Sequence, residues 1–186
     1  MVTTKYTYNT HVRPFSSSFA RVKMTKAEID KSFEWAYAMR DAKQDQLPWL
    51  KSTNAIKRFS NGVLGEMAVE KFLGIQFIDW TIGELEKYQV PDMLNLGFDV
   101  GIKTVEYGKF PIIFKDNPYA QIINIYRPLD TTCFVCGLAT KDVLNTYQCE
   151  DLIIAPTLKV KGIKTGFYGF EHLVKPSDMI LDKTQK

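Results

Sequence analysis

Residues 91–111, PDMLNLGFDVGIKTVEYGKFP, set two aspartates and a lysine among strand-forming residues. Acids inside a strand are costly to bury unless a cation or a metal pairs with them. Two strand-like runs, VPDML and FDVGIKTVEY, flank a turn at Asn95, Leu96 and Gly97. With Leu96 and Gly97 as a two-residue loop, Asn95 faces Phe98 and Asp92 faces Gly101. Side chains alternate along a strand, so Asp99, Gly101 and Lys103 share one face, and in this register Asp92 joins them across the ladder. A slip of one residue turns Asp92 away but leaves Asp99 and Lys103 together. Carboxylates and an ammonium on one face suit metal-assisted phosphodiester hydrolysis. Mg2+ takes one or two carboxylates and keeps several waters. It acidifies a bound water and stabilises charge on the phosphate, while an ammonium beside it orients or deprotonates that water. The same residues also suit cross-strand pairing on a guarded, solvated sheet edge.

A glutamate upstream adds to the first reading. VLGEMAVEKFL reads as a helix from about Gly62 to Leu73, closed by Gly74 as a C-terminal cap. It is apolar over most of its circumference. Glu66 shares a side with Val63, Val69 and Leu73, which turns its carboxylate towards apolar neighbours. It is either a core-margin residue reaching for water or a carboxylate aimed at a site.

The other elements follow from pattern and punctuation. Thr25 and Glu28 form a capping box ahead of a helix carrying Ile29, Phe33, Ala36, Tyr37 and Arg40 at helical spacing. IQFIDW, FPIIF, AQIINIYR and TTCFVCGLAT read as strands, and KDVLNTY as a short helix with Thr140 at its N-cap. TLKVKGIKTGFYGFEHL reads as two strands around turns. The first 24 residues read as an N-terminal arm, and residues 25–186 as a single domain. The order suits an α/β fold with a mixed sheet flanked by helices.

Composition narrows the classes. The 186 residues are 45% hydrophobic and 24% charged, with a formal net charge of +3, which is ordinary for a globular protein. The mild basicity permits nucleic acid as a partner without demanding it. No apolar run spans a bilayer, and no secretory leader is evident, so a cytoplasmic protein is expected. Cys133 and Cys136 spell CxxC, but in a strand residues three apart face opposite ways, which predicts core thiols and no zinc site.

The stretch resembles the core of the PD-(D/E)xK nuclease superfamily, whose fold is that of restriction endonucleases. That family runs from a helix with a glutamate to a strand with Pro-Asp and then a strand with (Asp/Glu)-x-Lys. Here GEMAVEKFLG supplies Glu66, PD supplies Asp92 and GIK supplies Lys103. AQIINIY offers Gln121, and FVCGLATKDVL is similar to the family's hydrophobic strand feeding a helix. The resemblance covers about residues 60–175. It implies a restriction endonuclease-like sheet and a Mg2+-dependent deoxyribonuclease, with Mn2+ able to substitute. Glu66, Asp92 and Asp99 would be metal ligands, Lys103 would position or activate the water, and Gln121 would be an auxiliary contact. One position departs from the pattern. Gly101 stands where the family has an acid. Asp99 has taken over, or Asp99 is the central aspartate and Asp92 incidental, or the acid is lost and the protein binds DNA or assembles without cutting.

For the DNA itself, Lys159, Lys161 and Lys164 precede Phe167, Tyr168 and Phe170. Lys51, Lys57 and Arg58 lead into the Glu66 helix. Lysines near aromatics can track a phosphate backbone, and equally form a solvated edge. A nuclease of this size could use a homodimer to cut both strands, and the sequence leaves the oligomeric state open.

Overall fold

The computed structural model describes residues 6–43, 45, 52–83 and 90–179. Lys51 lies outside them. The described chain begins with a short helix α1 (Tyr8–His11), a 3-10 turn over Arg13–Ser18 and strand β1 (Ala20–Lys23). Helices α2 (Lys26–Lys43) and α3 (Thr53–Leu73) follow. Next come β2 (Val100–Glu106), β3 (Ile112–Phe114), β4 (Ala120–Arg127) and β5 (Thr132–Ala139). The chain continues through α4 (Lys141–Thr146), β6 (Gln148–Cys149), α5 (Pro156–Lys161) and β7 (Lys164–Phe167). A mixed four-stranded sheet has the order β1-β5-β4-β2, and a smaller sheet the order β3-β7-β6. Only the β2–β4 pair of the larger sheet is parallel, with Gly101 beside Gln121 and Lys103 beside Ile123.

The caps sit where the chemistry puts them. Glu28 accepts from the Thr25 amide while Thr25 Oγ1 accepts from the Glu28 amide, the reciprocal box that starts α2. Thr140 caps α4, and Gly74 ends α3 with φ 66°. The α3 helix starts earlier than its apolar stripe predicts, because Ser52 caps it and its first turns bury Ala55 and Ile56.

The sheet separates two cores. Val63, Leu64, Met67 and Ala68 of α3 pack with Ile122, Cys133 and Val135 on one face. Ile123, Ile125, Phe134 and Cys136 pack with Phe167 and Phe170 on the other. Cys133 and Cys136 thus point to opposite faces as core thiols. The expected arm is more than an arm. Its β1 pairs with β5 at one sheet edge, and Val12 and Phe19 are buried in the second core.

Three expected strands take other forms. IQFIDW forms no strand among the described residues: Glu70 on α3 accepts the amides of Phe77 and Ile78 at 2.6 and 2.8 Å and ties the segment to the helix. PDML is a turn whose Leu94–Leu96 stretch is 3-10. TLKVK is the helix α5, started by Pro156 at its N-terminus and ended at Gly162, since proline pre-sets the first helical position. Lys159 and Lys161 therefore do not alternate along a strand.

Helix α3 approaches β2 closely at Gly65. A Cβ there would lie 1.6 Å from Thr104 Oγ1, and Asn124 donates to the Gly65 carbonyl at 3.0 Å. Gly62, one turn earlier, has open space at the same point. Gly65→Ala should therefore destabilise the protein by about 1–3 kcal/mol through overpacking. Gly62→Ala should stabilise it by about 0.5–1 kcal/mol through helix propensity. Urea unfolding of the two variants checks both signs, and equal effects would contradict this packing.

Candidate active site at the sheet edge

Strand β2 is the free edge of the larger sheet, so its outward backbone groups need partners. Asp92 supplies one. Its carboxylate accepts the Ile102 amide, and the Met93 amide donates to the Val100 carbonyl at 3.1 Å. Asp92 thus stands beside Gly101, as the register argument expects, but it gets there through a turn and a side-chain bond in place of a two-residue hairpin.

The alternation of β2 splits its side chains between two layers. Thr104 and Glu106 face α3, where Gly65 packs and Lys57 pairs with Glu106 at 2.8 Å. Gly101 and Lys103 face the other way, into a cavity of about 190 Å³ shared with Tyr119, Gln121 and Lys164. Arg58, Gly62 and Glu66 recur at four-residue spacing on α3 and all line a larger cavity of about 550 Å³ on the helix side. Asp92 lines both cavities. It joins Glu66, on one side of the sheet edge, to Lys103 on the other.

The electrostatics show how close these groups are. Burial pushes the Glu66 carboxyl well above the usual carboxylate range, and the charges of Asp92 and then Glu70 push it further. Burial also raises Asp92, against the opposing pull of the Ile102 amide and the Lys103 charge. Lys103 is pushed down to about 8, first by burial and then by Lys164 and Arg58, with Asp92 resisting. Lys164 is itself lowered by burial, Arg58 and Lys161. Lys164, Arg58 and Lys103 thus act on one another as a positive cluster beside Asp92.

The remaining expected residues divide clearly. Gln121 is buried beside Gly101. Its amide donates to Asn117 at 3.4 Å, and its Oε1 has no partner among the described residues. Asp99 is exposed just ahead of β2, lines neither cavity, and makes itself felt at the Tyr119 hydroxyl. It does not join Glu66 and Asp92: among the described residues no three acids, cysteines or histidines form a metal-holding group. Lys57 is held on the far layer by Glu106, and Lys159 lies 3.8 Å from Asp151.

Tyr119 is the residue that sequence reasoning missed. A Cβ at position 101 would lie 2.7 Å from its ring and 3.6 Å from Asp92 Oδ2. The tyrosine fills the space that an acid at 101 would enter. No local pattern marks it, because it sits in the turn before β4, far along the chain from Gly101.

No family model, curated protein or solved structure matches this chain. No helix among the described residues is long and apolar enough to cross a membrane.

A raised folded-state pKa means that Glu66 contributes stability below the ordinary carboxylate pKa and loses it as pH rises through the folded value. Metal-free Glu66→Gln should therefore melt a few degrees higher than the parent at pH 7.5, with the gap closing towards pH 4. Calorimetry at the two pH values checks this. Lys164→Ala should raise the Lys103 pKa by removing a neighbouring positive charge, as read from the Nζ resonance in an NMR titration.

Proposed function

We propose that this chain hydrolyses DNA phosphodiester bonds with a divalent metal ion, on a restriction endonuclease-like core of the PD-(D/E)xK kind. The observation that carries this reading is Asp92. A single carboxylate, pinned to the edge strand by the Ile102 amide, stands between Glu66 of α3 and Lys103 of β2. The helix glutamate, the Pro-Asp and the lysine follow one another along the chain in the family's order, with Pro-Asp in a turn in place of a strand.

The donor set fits a hard cation. The Asp92 charge raises the proton affinity of Glu66, an opposition that a cation held by both would relieve, and Mg2+ asks for only one or two such ligands. Glu66 and Asp92 would hold Mg2+ or Mn2+. When bound, the ion acidifies a coordinated water and stabilises charge developing on the phosphate. Lys103, which lines the opposite cavity with Asp92, would orient the attacking water or neutralise the phosphate. Arg58 and Lys164 extend that charge and grip the flanking phosphates. The Gln121 Oε1, buried and unpartnered, accepts from the water or from Lys103. Asp99 takes no part in holding the metal.

A second reading rests on Tyr119. With its ring over Gly101, the place of the family's central acid is closed, which also suits a protein that binds DNA on this fold without cutting it. Cleavage of plasmid and linear DNA in Mg2+, Mn2+ or EDTA separates the two. The nuclease reading expects metal-dependent cutting that Glu66→Gln, Asp92→Asn and Lys103→Ala each reduce about 10²–10⁴-fold, with Asp99→Asn within a few fold of the parent. DNA binding that is indifferent to metal, with no cutting, would leave the binding protein.

A further inference from the structure

The larger cavity extends well past the groups proposed for metal and phosphate: Glu66, Asp92 and Arg58 form only one part of its wall. At about 550 Å³ it falls within the range of small-molecule sites, roughly 300–1,000 Å³. Its sides are aromatic: Trp35 of α2 and Phe59 of α3 meet edge to face, with centroids 6.4 Å apart, and Phe77 closes the far side. Leu94 leaves an exposed apolar rim. A solvated catalytic cleft needs no such walls, and apolar surface left open beside charged groups marks a binding site.

Resting on the nuclease reading, we infer that this cavity receives one unstacked nucleobase, the base of a nucleotide bordering the scissile phosphate. The two cavities divide a nucleotide by its chemistry. The smaller one, with Lys103, Lys164 and Gln121, is polar and cationic and takes phosphate. The larger one is lined by the rings of Trp35 and Phe59, and aromatic rings stack on any base and so tolerate sequence. Asp92 borders both, so a base in one and its phosphate in the other lie a single nucleotide apart. Arg58 lines the larger cavity and also depresses the proton affinity of Lys103 and Lys164, so its charge spans the junction. A paired base is stacked inside the duplex and must be extruded before it can enter, which is least costly at an unpaired nucleotide. The substrate class is therefore single-stranded DNA, or duplex DNA carrying an unpaired nucleotide.

Gly62 provides a way to close the cavity without cutting into the core. It lines the space, and a Cβ built on it meets nothing within 4 Å, so Gly62→Leu grows a side chain into the pocket. End-labelled duplex, the same duplex with one unpaired nucleotide, and single strand are compared in Mg2+ with the parent and Gly62→Leu. The expected result is cutting beside the unpaired nucleotide at least about tenfold faster than in the paired duplex, with the preference lost in Gly62→Leu. Removing the base itself, with an abasic nucleotide at that position, should also cost about tenfold and needs no variant. Equal rates on paired, unpaired and abasic substrates would overturn the base pocket while leaving the nuclease standing. If no substrate is cut, the nuclease reading falls. Fluorescence anisotropy with the labelled single strand and duplex then decides the pocket: a single-strand preference weakened by Gly62→Leu upholds it, and no preference overturns it.

Discussion

Everything at the functional end of this molecule depends on one hydrogen bond, from the Ile102 amide to the Asp92 carboxylate. An edge strand exposes backbone groups that need partners, and here an aspartate from a turn supplies one. The bond caps the edge strand and at the same time fixes a carboxylate that borders the cavities on both sides of the sheet. Its cost is visible beside it. Glu66 arrives from the helix layer close enough for the Asp92 charge to push its carboxyl further above the usual range. Such a pair is unfavourable to folding without a cation, and this is the kind of local expense that functional sites carry.

Helix α3 makes the meeting possible. It can approach β2 because Gly65 has no side chain to collide with Thr104, and Asn124 ties the Gly65 carbonyl to the sheet. Ser60 and Ser32 share a buried hydroxyl bond that sets α3 against α2. Glu70 clamps the Phe77–Ile78 backbone under the helix. With the helix fixed in this way, the stripe of Arg58, Gly62 and Glu66 runs along the sheet edge. Arginine, open space and carboxylate then succeed one another where the proposed substrate would lie.

Much of the fold was legible because it is written locally. AQIINIYR and TTCFVCGLAT are apolar runs of strand length, and they form the two central strands of the larger sheet. The Thr25–Glu28 box, Thr140 and Gly74 act within one turn of their own positions, so their types were enough. The elements that misled are those settled by distant partners. IQFIDW has the composition of a strand but meets Glu70, and PDML has strand formers but spends its backbone bonds in a turn. Among the candidate site residues, Glu66, Asp92, Lys103 and Gln121 were marked by motif and order. Tyr119 and the aromatic cavity were not.

The sequence by itself determined which residues can do chemistry here, since residue type and the period-two alternation of β2 put Lys103 and Gly101 on one face in any regular register. Tertiary structure alone decided which acids accompany the lysine. Asp92 and Asp99 are both near it along the chain, but the amide of Ile102 draws the first carboxylate to the edge, while the second is left exposed just ahead of the strand. A hydrogen bond between a side chain and a backbone ten residues away has no signature in local periodicity. It exists only once the layers have packed and the edge amide has no strand to pair with.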